Sequence, residues 1–312
     1  MATRKISLMR GKRLRMTRLD GCGRPVFGEA STAVTKGFIT VSFTANTSET
    51  DEILVTNAGG ERCVYEPAET SITGYGVEIE FCEVDPDLFS MVTGQDVVLD
   101  AFGNSAGFDI DTSVDLSGLG FALELWMGAG TAEGDSCGVD GGEGNFGYLL
   151  LPYLRGGIVG DFSVENGNIT FTITGANTRD GNAWGNGPYS DIQMSGGVPS
   201  AMLTPVKPTT ALRLILTDVA PPEVVTGSRP LLDPTLPALT AITSTGTGQD
   251  LNFTVTPVST GPVWYDFGDG EWDYVLAPGA GSHLYAEGGT YTVRASQNGS
   301  TFVEEVVTVP QA

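Results

Sequence analysis

The residues that could do chemistry are few and poorly matched to one another. Gly103-Asn-Ser105-Ala-Gly107 has the Gly-x-Ser-x-Gly spacing of a nucleophile elbow, which presents a serine hydroxyl at a strand-to-helix turn. Such a serine needs a histidine to take its proton. The chain has one histidine, His283, far away in its last quarter, and the segment after the motif, Phe108-Asp-Ile-Asp111, reads as a strand. Asp109, Asp111 and Ser113 open with the spacing of a calcium loop, but Val114 and Gly120 stand where that loop needs glycine and a bidentate glutamate. The four cysteines, Cys22, Cys63, Cys82 and Cys137, include no Cys-x-x-Cys pair, and a single histidine cannot complete a zinc site. Gly128-Ala-Gly130 lacks the third glycine and the lysine of a phosphate-cradling loop. The acidic loop at residues 135–143 reads as solvated charge. No catalytic site, metal site or cofactor is expected, and the residues point away from an enzyme.

The composition describes what must position these side chains. Forty-three glycines in 312 residues, without a Gly-x-y period, suit turns and bulges better than helices. Threonine, valine and aromatic residues fill the segments between them, which favours strands. The length suggests two domains. The formal net charge is −22, yet residues 1–24 hold eight of the sixteen basic residues against one acid, Asp20. An acidic body repels nucleic acid and anionic membranes. A basic arm on an acidic body suggests that the arm of one copy docks on another, through Arg10, Lys12, Arg13, Arg15 and Arg18. No apolar stretch is long enough to span a membrane, and no apolar segment follows the N-terminal basic residues as in a secretory signal. Free thiols formed in a reducing cytoplasm are therefore expected.

Strand patterns recur along residues 25–219. Residues 37–43 alternate, with Phe38 expected on the face opposite Ile39, Val41 and Phe43. Val77, Ile79 and Phe81 point inward, with Glu78 and Glu80 outward. Glu52-Ile-Leu-Val-Thr56 ends at the turn Asn57-Ala-Gly-Gly60. Further strands are expected at residues 96–101, 108–116, 121–127, 148–154, 168–174 and 211–218. Asp85-Pro86 and Gly94 bracket a two-turn helix. Five prolines in residues 220–237 mark a semi-rigid linker before a domain at residues 238–312.

The C-terminal part carries the most specific likeness. Asp266-Phe267-Gly268-Asp269-Gly270, His283-Leu-Tyr285 and Gly289-Thr-Tyr291-Thr-Val293 resemble the signature of the PKD-type immunoglobulin-like domain. That resemblance implies a β-sandwich in which His283 is structural and Tyr291, Val293 and Ala295 face inward. The larger part resembles the major tail tube proteins of siphophages infecting actinobacteria. The residues behind this are Gly11-Lys-Arg-Leu-Arg-Met-Thr-Arg-Leu-Asp-Gly-Cys-Gly, Cys82-Glu-Val-Asp-Pro-Asp-Leu-Phe and Glu124-Leu-Trp126, with Tyr148-Leu-Leu-Leu-Pro-Tyr-Leu-Arg-Gly-Gly157 and Trp184-Gly-Asn-Gly-Pro-Tyr189.

The tail tube resemblance implies a β-sandwich or barrel with one short helix, made in the host cytoplasm and built into the virion as stacked hexameric rings. By the same analogy, tape measure, tail terminator and distal tail proteins are its partners. Double-stranded DNA would pass through the tube during ejection without tight binding, past Glu78 and Glu80 or Asp109 and Asp111. The C-terminal domain would decorate the exterior, where Trp264, Trp272, Tyr274 or Tyr285 could meet host-surface glycans. The alternative is a secreted or surface adhesion module that binds glycans through its PKD-like domain.

Overall fold

The computed structural model describes residues 7–83, 85–101, 104–116, 119–130, 146–160, 162, 170–277 and 279–311, and the chain is mainly β as its composition implies. The first strands are β1 (Ser7–Leu19), β2 (Gly28–Thr35) and β3 (Phe38–Glu49). The hairpin strands β4 (Ile53–Thr56) and β5 (Arg62–Glu66) follow, and β6 (Thr70–Phe81) returns alongside β3. Helix α1 (Pro86–Thr93) and the short pair β7 (Val97–Leu99) and β8 (Ser105–Phe108) lead into two long strands, β9 (Gly120–Gly130) and β10 (Phe146–Arg155). After them come β11 (Ile158–Val159), β12 (Phe171–Thr178), β13 (Gln193–Ser195), β14 (Val198–Ser200), β15 (Arg213–Thr217) and β16 (Arg229–Leu231).

Ten of these strands form one antiparallel sheet in the order β16-β2-β1-β9-β10-β12-β6-β3, with β15 on β10 and β11 on β12. Leu14 and Met16 of β1, Leu123 and Leu125 of β9, Leu151 of β10, Ile173 of β12 and Ile79 of β6 all enter one core, so the sheet curls around it. Helix α1 closes that core with Leu88, Phe89, Met91 and Val92, and the Phe89 ring stacks 5.1 Å from Phe108. The helix begins and ends where its cap residues require. The Asp85 carboxylate accepts from the N–H groups of Asp87 and Leu88, and Gly94 adopts φ 68° at the C-terminus.

Four expectations need correction. The segment expected to be a free basic arm is largely β1, an interior strand, because its alternate residues Leu14 and Met16 belong to the core. Phe38 packs on the same core as Val41 and Phe43 while Ile39 is exposed, since a bulge between Phe38 and Thr40 shifts the alternation by one residue. Asp109 and Asp111 share no strand face: β8 ends at Phe108, Asp111 is held by the Gln95 side chain, and the chain turns at residues 112–113. The proline-rich segment is not a free linker. Its β16 pairs with β2, and Val225 donates to the Val34 carbonyl.

The C-terminal unit contains β17 (Ala241–Thr247), β18 (Asp250–Thr256), β19 (Val263–Asp266), β20 (Trp272–Val275), β21 (Gly281–Leu284), β22 (Gly289–Ser296) and β23 (Val303–Val309). Sheets ordered β17-β18-β21 and β20-β19-β22-β23 enclose Phe253, Tyr265, Phe267, Tyr285, Val293 and Ala295. It is a two-sheet β-sandwich with its own core. Tyr291 packs against that core half-buried.

Candidate assembly interface

The outer face of the large sheet divides into two halves. On β6, Val77, Ile79 and Phe81 are buried, so Glu78 and Glu80 turn to the other side, as their alternation implies. Their cross-strand partners are Ser42 and Thr40 on β3, and Glu80 also faces Thr172 on β12. This half is open and polar, and β3, β6 and β12 contain no lysine or arginine.

The other half, on β1, β9 and β10, lies beneath residues 182–206. Trp126, Tyr148, Leu150, Trp184, Ile192, Met202 and Val206 form a second core there. Within it Arg15 sits directly opposite Glu124 across the β1–β9 ladder. The guanidinium grips the carboxylate with two bonds, Nε–Oε2 at 2.7 Å and Nη2–Oε1 at 2.9 Å. It also donates to both oxygens of Asp191, at 2.8 and 3.1 Å. The Tyr148 hydroxyl donates to Glu124 at 2.6 Å. The Tyr189 ring covers the guanidinium at 3.4 Å, and its hydroxyl bonds Thr17 and Thr32.

Burial works against charge on Arg15, but Asp191 and Glu124 outweigh it and hold the guanidinium well above its ordinary value. Burial pushes the Glu124 carboxyl up against the opposing pull of Arg15 and Tyr148. The Tyr189 hydroxyl, also buried, is pushed up to about 12. Arg15 is thus spent inside its own chain and cannot reach a neighbour. Among the other cations expected to dock, Arg10, Lys12 and Arg18 are exposed and Arg13 is half-buried.

The largest exposed feature was only partly legible beforehand. Residues 47–73 are exposed without exception, and they form a hairpin that continues β3 and β6 beyond the sheet through β4 and β5. Its tip turns at Asn57, whose side-chain oxygen accepts from the N–H groups of Gly59 and Glu61. Ile53, Leu54, Val55, Val64, Tyr65 and Ile72 are each about half exposed or more. Cross-strand pairs Leu54–Tyr65 and Val55–Val64 lie on opposite faces, so each face of the tip carries apolar side chains in water. The Asn57 turn is a sequence signal; the strand Arg62–Glu66 after it lies outside the strands the pattern predicts.

In the C-terminal sandwich the motif residues converge. Asp266 and Asp269 side chains accept from the N–H groups of Gly268 and Glu271, shaping the turn after β19. Gly268 has φ 80°, and a Cβ there would lie 2.6 Å from the Thr292 carbonyl oxygen; Gly270 has φ 100°. His283 Nε2 lies 2.7 Å from Asp269 Oδ2, and its ring stacks on Phe267 with centroids 4.1 Å apart. Tyr285 donates to the Phe267 carbonyl and stacks on Tyr291. Of the aromatics that could meet glycans, Tyr285 is buried, Trp264 packs edge-on against Phe302, and the Trp272 ring lies under Arg229.

Tyr274 borders a cavity of about 950 Å³ lined in part by Asp85 and Asp87, both of which are hydrogen-bonded within the chain. Asp85 accepts from Gly227 and caps α1, while Asp87 accepts from Ser105 and from the N–H and hydroxyl of Ser228. Ser105 is therefore bonded to an aspartate, and His283 to a different one. The acidic loop at residues 135–143, with Cys137, lies outside the described residues; Cys22, Cys63 and Cys82 are exposed free thiols. Among the described residues no cluster of three or more metal-ligating side chains occurs. No helix among them is long and apolar enough to cross a membrane.

No model of a known protein family matches the chain, and no curated protein matches it.

Proposed function

We propose that this chain is a self-assembling structural protein, the tube-forming subunit of a long-tailed phage tail. Copies join into six-membered rings, the rings stack into a conduit for DNA, and the C-terminal sandwich decorates the outside. The observation that carries this reading is the exposed hairpin of residues 47–73 at the end of a sheet that is itself unfinished. Strand β3 runs twelve residues as an edge with no proline or lysine within it. A chain that stays single would leave such an edge and such an apolar hairpin free to aggregate, whereas a closed assembly covers both. The open half of the outer face supports the channel. It carries Glu78, Glu80 and hydroxyls without a cation from β3, β6 or β12, and every Lys or Arg contact to phosphate would slow a passing duplex.

Negative-stain microscopy and sedimentation of the purified chain, over rising concentration, test the reading. Rings or tubes with a central channel are expected. A chain that remains single at every concentration and salt overturns the proposal.

A further inference from the structure

The cavity beside Tyr274 draws its walls from both units of the chain. Trp272, Asp273 and Tyr274 come from β20 of the C-terminal sandwich, and β2, β7 and the head of α1 come from the larger unit. At about 950 Å³ it is as large as sites that hold small ligands. Five carboxylates line it, Glu29, Glu83, Asp85, Asp87 and Asp273, against one cation, Arg229. None of these six groups makes an ion pair among the described residues. Arg229 lies instead over the Trp272 ring, 4.3 Å from its centroid, so this wall already accepts a cation.

The hydrogen bonds on Asp85 and Asp87 come from backbone N–H groups and serine hydroxyls, which orient the carboxylates without cancelling their charge. Burial works to raise the Asp87 carboxyl, but Ser105 and Ser228 outweigh it and hold it below its usual range. The arrangement also selects the form of cation. The acids come from three places, β2, the approach to α1, and β20. Among the described residues no three metal-ligating side chains gather closely enough for one ion, so a compact divalent cation has no ligand set. Pro86, Val97, Leu99 and Val225 supply apolar wall in the same cavity. Separated negative charges with apolar surface beside them match several ammonium groups spaced along a methylene chain.

We propose that this cavity binds a linear aliphatic polyamine, its ammonium groups on carboxylates of both units and its methylene stem against the apolar wall. The ligand then ties the sandwich to the larger unit and fixes how it is presented. A single chain contains the whole site, so the proposal stands apart from the assembly reading.

Spermidine, titrated into the full chain by calorimetry at fixed ionic strength, is the probe. One molecule should bind per chain. A variant carrying Glu29→Gln, Glu83→Gln and Asp273→Asn should bind it more weakly by roughly tenfold or more. All three residues are exposed, and the variant is expected to keep the wild-type circular dichroism. A second variant, Asp51→Asn with Glu52→Gln and Glu66→Gln, removes the same formal charge from exposed acids outside the cavity. It should change the affinity by less than about twofold, as distant surface charges do. Spermidine should also alter tryptophan emission, and Trp272→Phe should remove that change while the binding heat persists. Several molecules per chain, or equal weakening in the two triple variants, would reduce the effect to diffuse attraction by an acidic chain and overturn the site. Displacement of spermidine by magnesium at the same ionic strength would assign the cavity to a metal ion instead. A titration with neither heat nor a change in emission also overturns the proposal.

Discussion

Glu124 and Glu80 occupy the same outer face of one sheet, yet their surroundings differ completely. Glu124 is buried with Arg15 clamped on it, Tyr148 donating to it and Tyr189 roofing its partner. Glu80 is half-exposed beside Thr40 and Thr172. Both come from strands whose alternation simply turns them away from the main core. What separates them is the segment containing Tyr189 and Asp191, which crosses one half of the face and leaves the other bare. A carboxylate on a strand is thus assigned its role by sequence that lies far from it.

The sharpest way to break this contrast is to remove the clamp. Arg15→Ala leaves Glu124 buried without its counter-charge, and loss of one partner of a buried pair costs about 3–5 kcal/mol. Urea unfolding of the full chain, followed by tryptophan fluorescence, should show that loss. The double change Arg15→Met with Glu124→Leu, made in a Tyr148→Phe background so that no buried hydroxyl loses its acceptor, should recover most of it. Equal instability in the single and double variants would mean that the charges are not what the segment is fastened by.

How much of this was legible follows from where the information sits. The inward set Val77, Ile79 and Phe81 and the helix between Asp85 and Gly94 are written locally, in period and caps, and both formed as read. Phe38 lies on the face opposite to the expected one because a single-residue bulge leaves no mark in an alternating pattern. Residues 108–116 looked like a strand because Ile110 alternates with aspartates, but Ile110 is exposed and the chain turns. Charge dominates the basic segment, and the sign of a core strand in it is the alternation of Leu14 and Met16 with the arginines. The pairing of Arg15 with Asp191 could not be read at all, since nothing local links residues so far apart.

A similar contrast exists inside the C-terminal turn. Gly268 and Gly270 both have positive φ, but only Gly268 is crowded, by the Thr292 backbone; nothing lies within 4 Å of a Cβ on Gly270. Gly268→Ala should cost about 1–3 kcal/mol from conformational strain, with the clash added to it. Gly270→Ala isolates the strain alone and should cost less. Thermal unfolding of the two variants measures the difference, and equal losses would remove the close approach from the explanation.

The Asp269–His283 pair should show itself in acid. Burial works to raise the Asp269 carboxyl, but the hydrogen bonds from His283 and from the Glu271 N–H outweigh it, so Asp269 is held below the usual carboxylate range. A group lowered in the folded state stabilises fully above its unfolded value and loses that contribution as pH falls through the lowered one. The wild type should therefore lose stability from roughly pH 4 downward. Asp269→Asn should flatten that part of the profile while leaving the slope due to other carboxylates, and an unchanged profile would remove the pair from acid sensitivity.

The smallest effect on stability belongs to the open half of the face. Glu78→Gln with Glu80→Gln should shift unfolding by no more than about 0.5 kcal/mol, as surface changes without a partner do. The contrast with Glu124 then lies wholly in folding, and the function of the open face has to be read another way. Under the proposed tube assembly, Glu78→Lys with Glu80→Lys should leave the monomer equally stable but make the tubes retain double-stranded DNA, with retention falling steeply as salt rises. Wild-type tubes should not retain it under the same conditions. Lysine tubes that remain indifferent to DNA would place this face on the outside of the assembly and leave the channel to be lined by other strands.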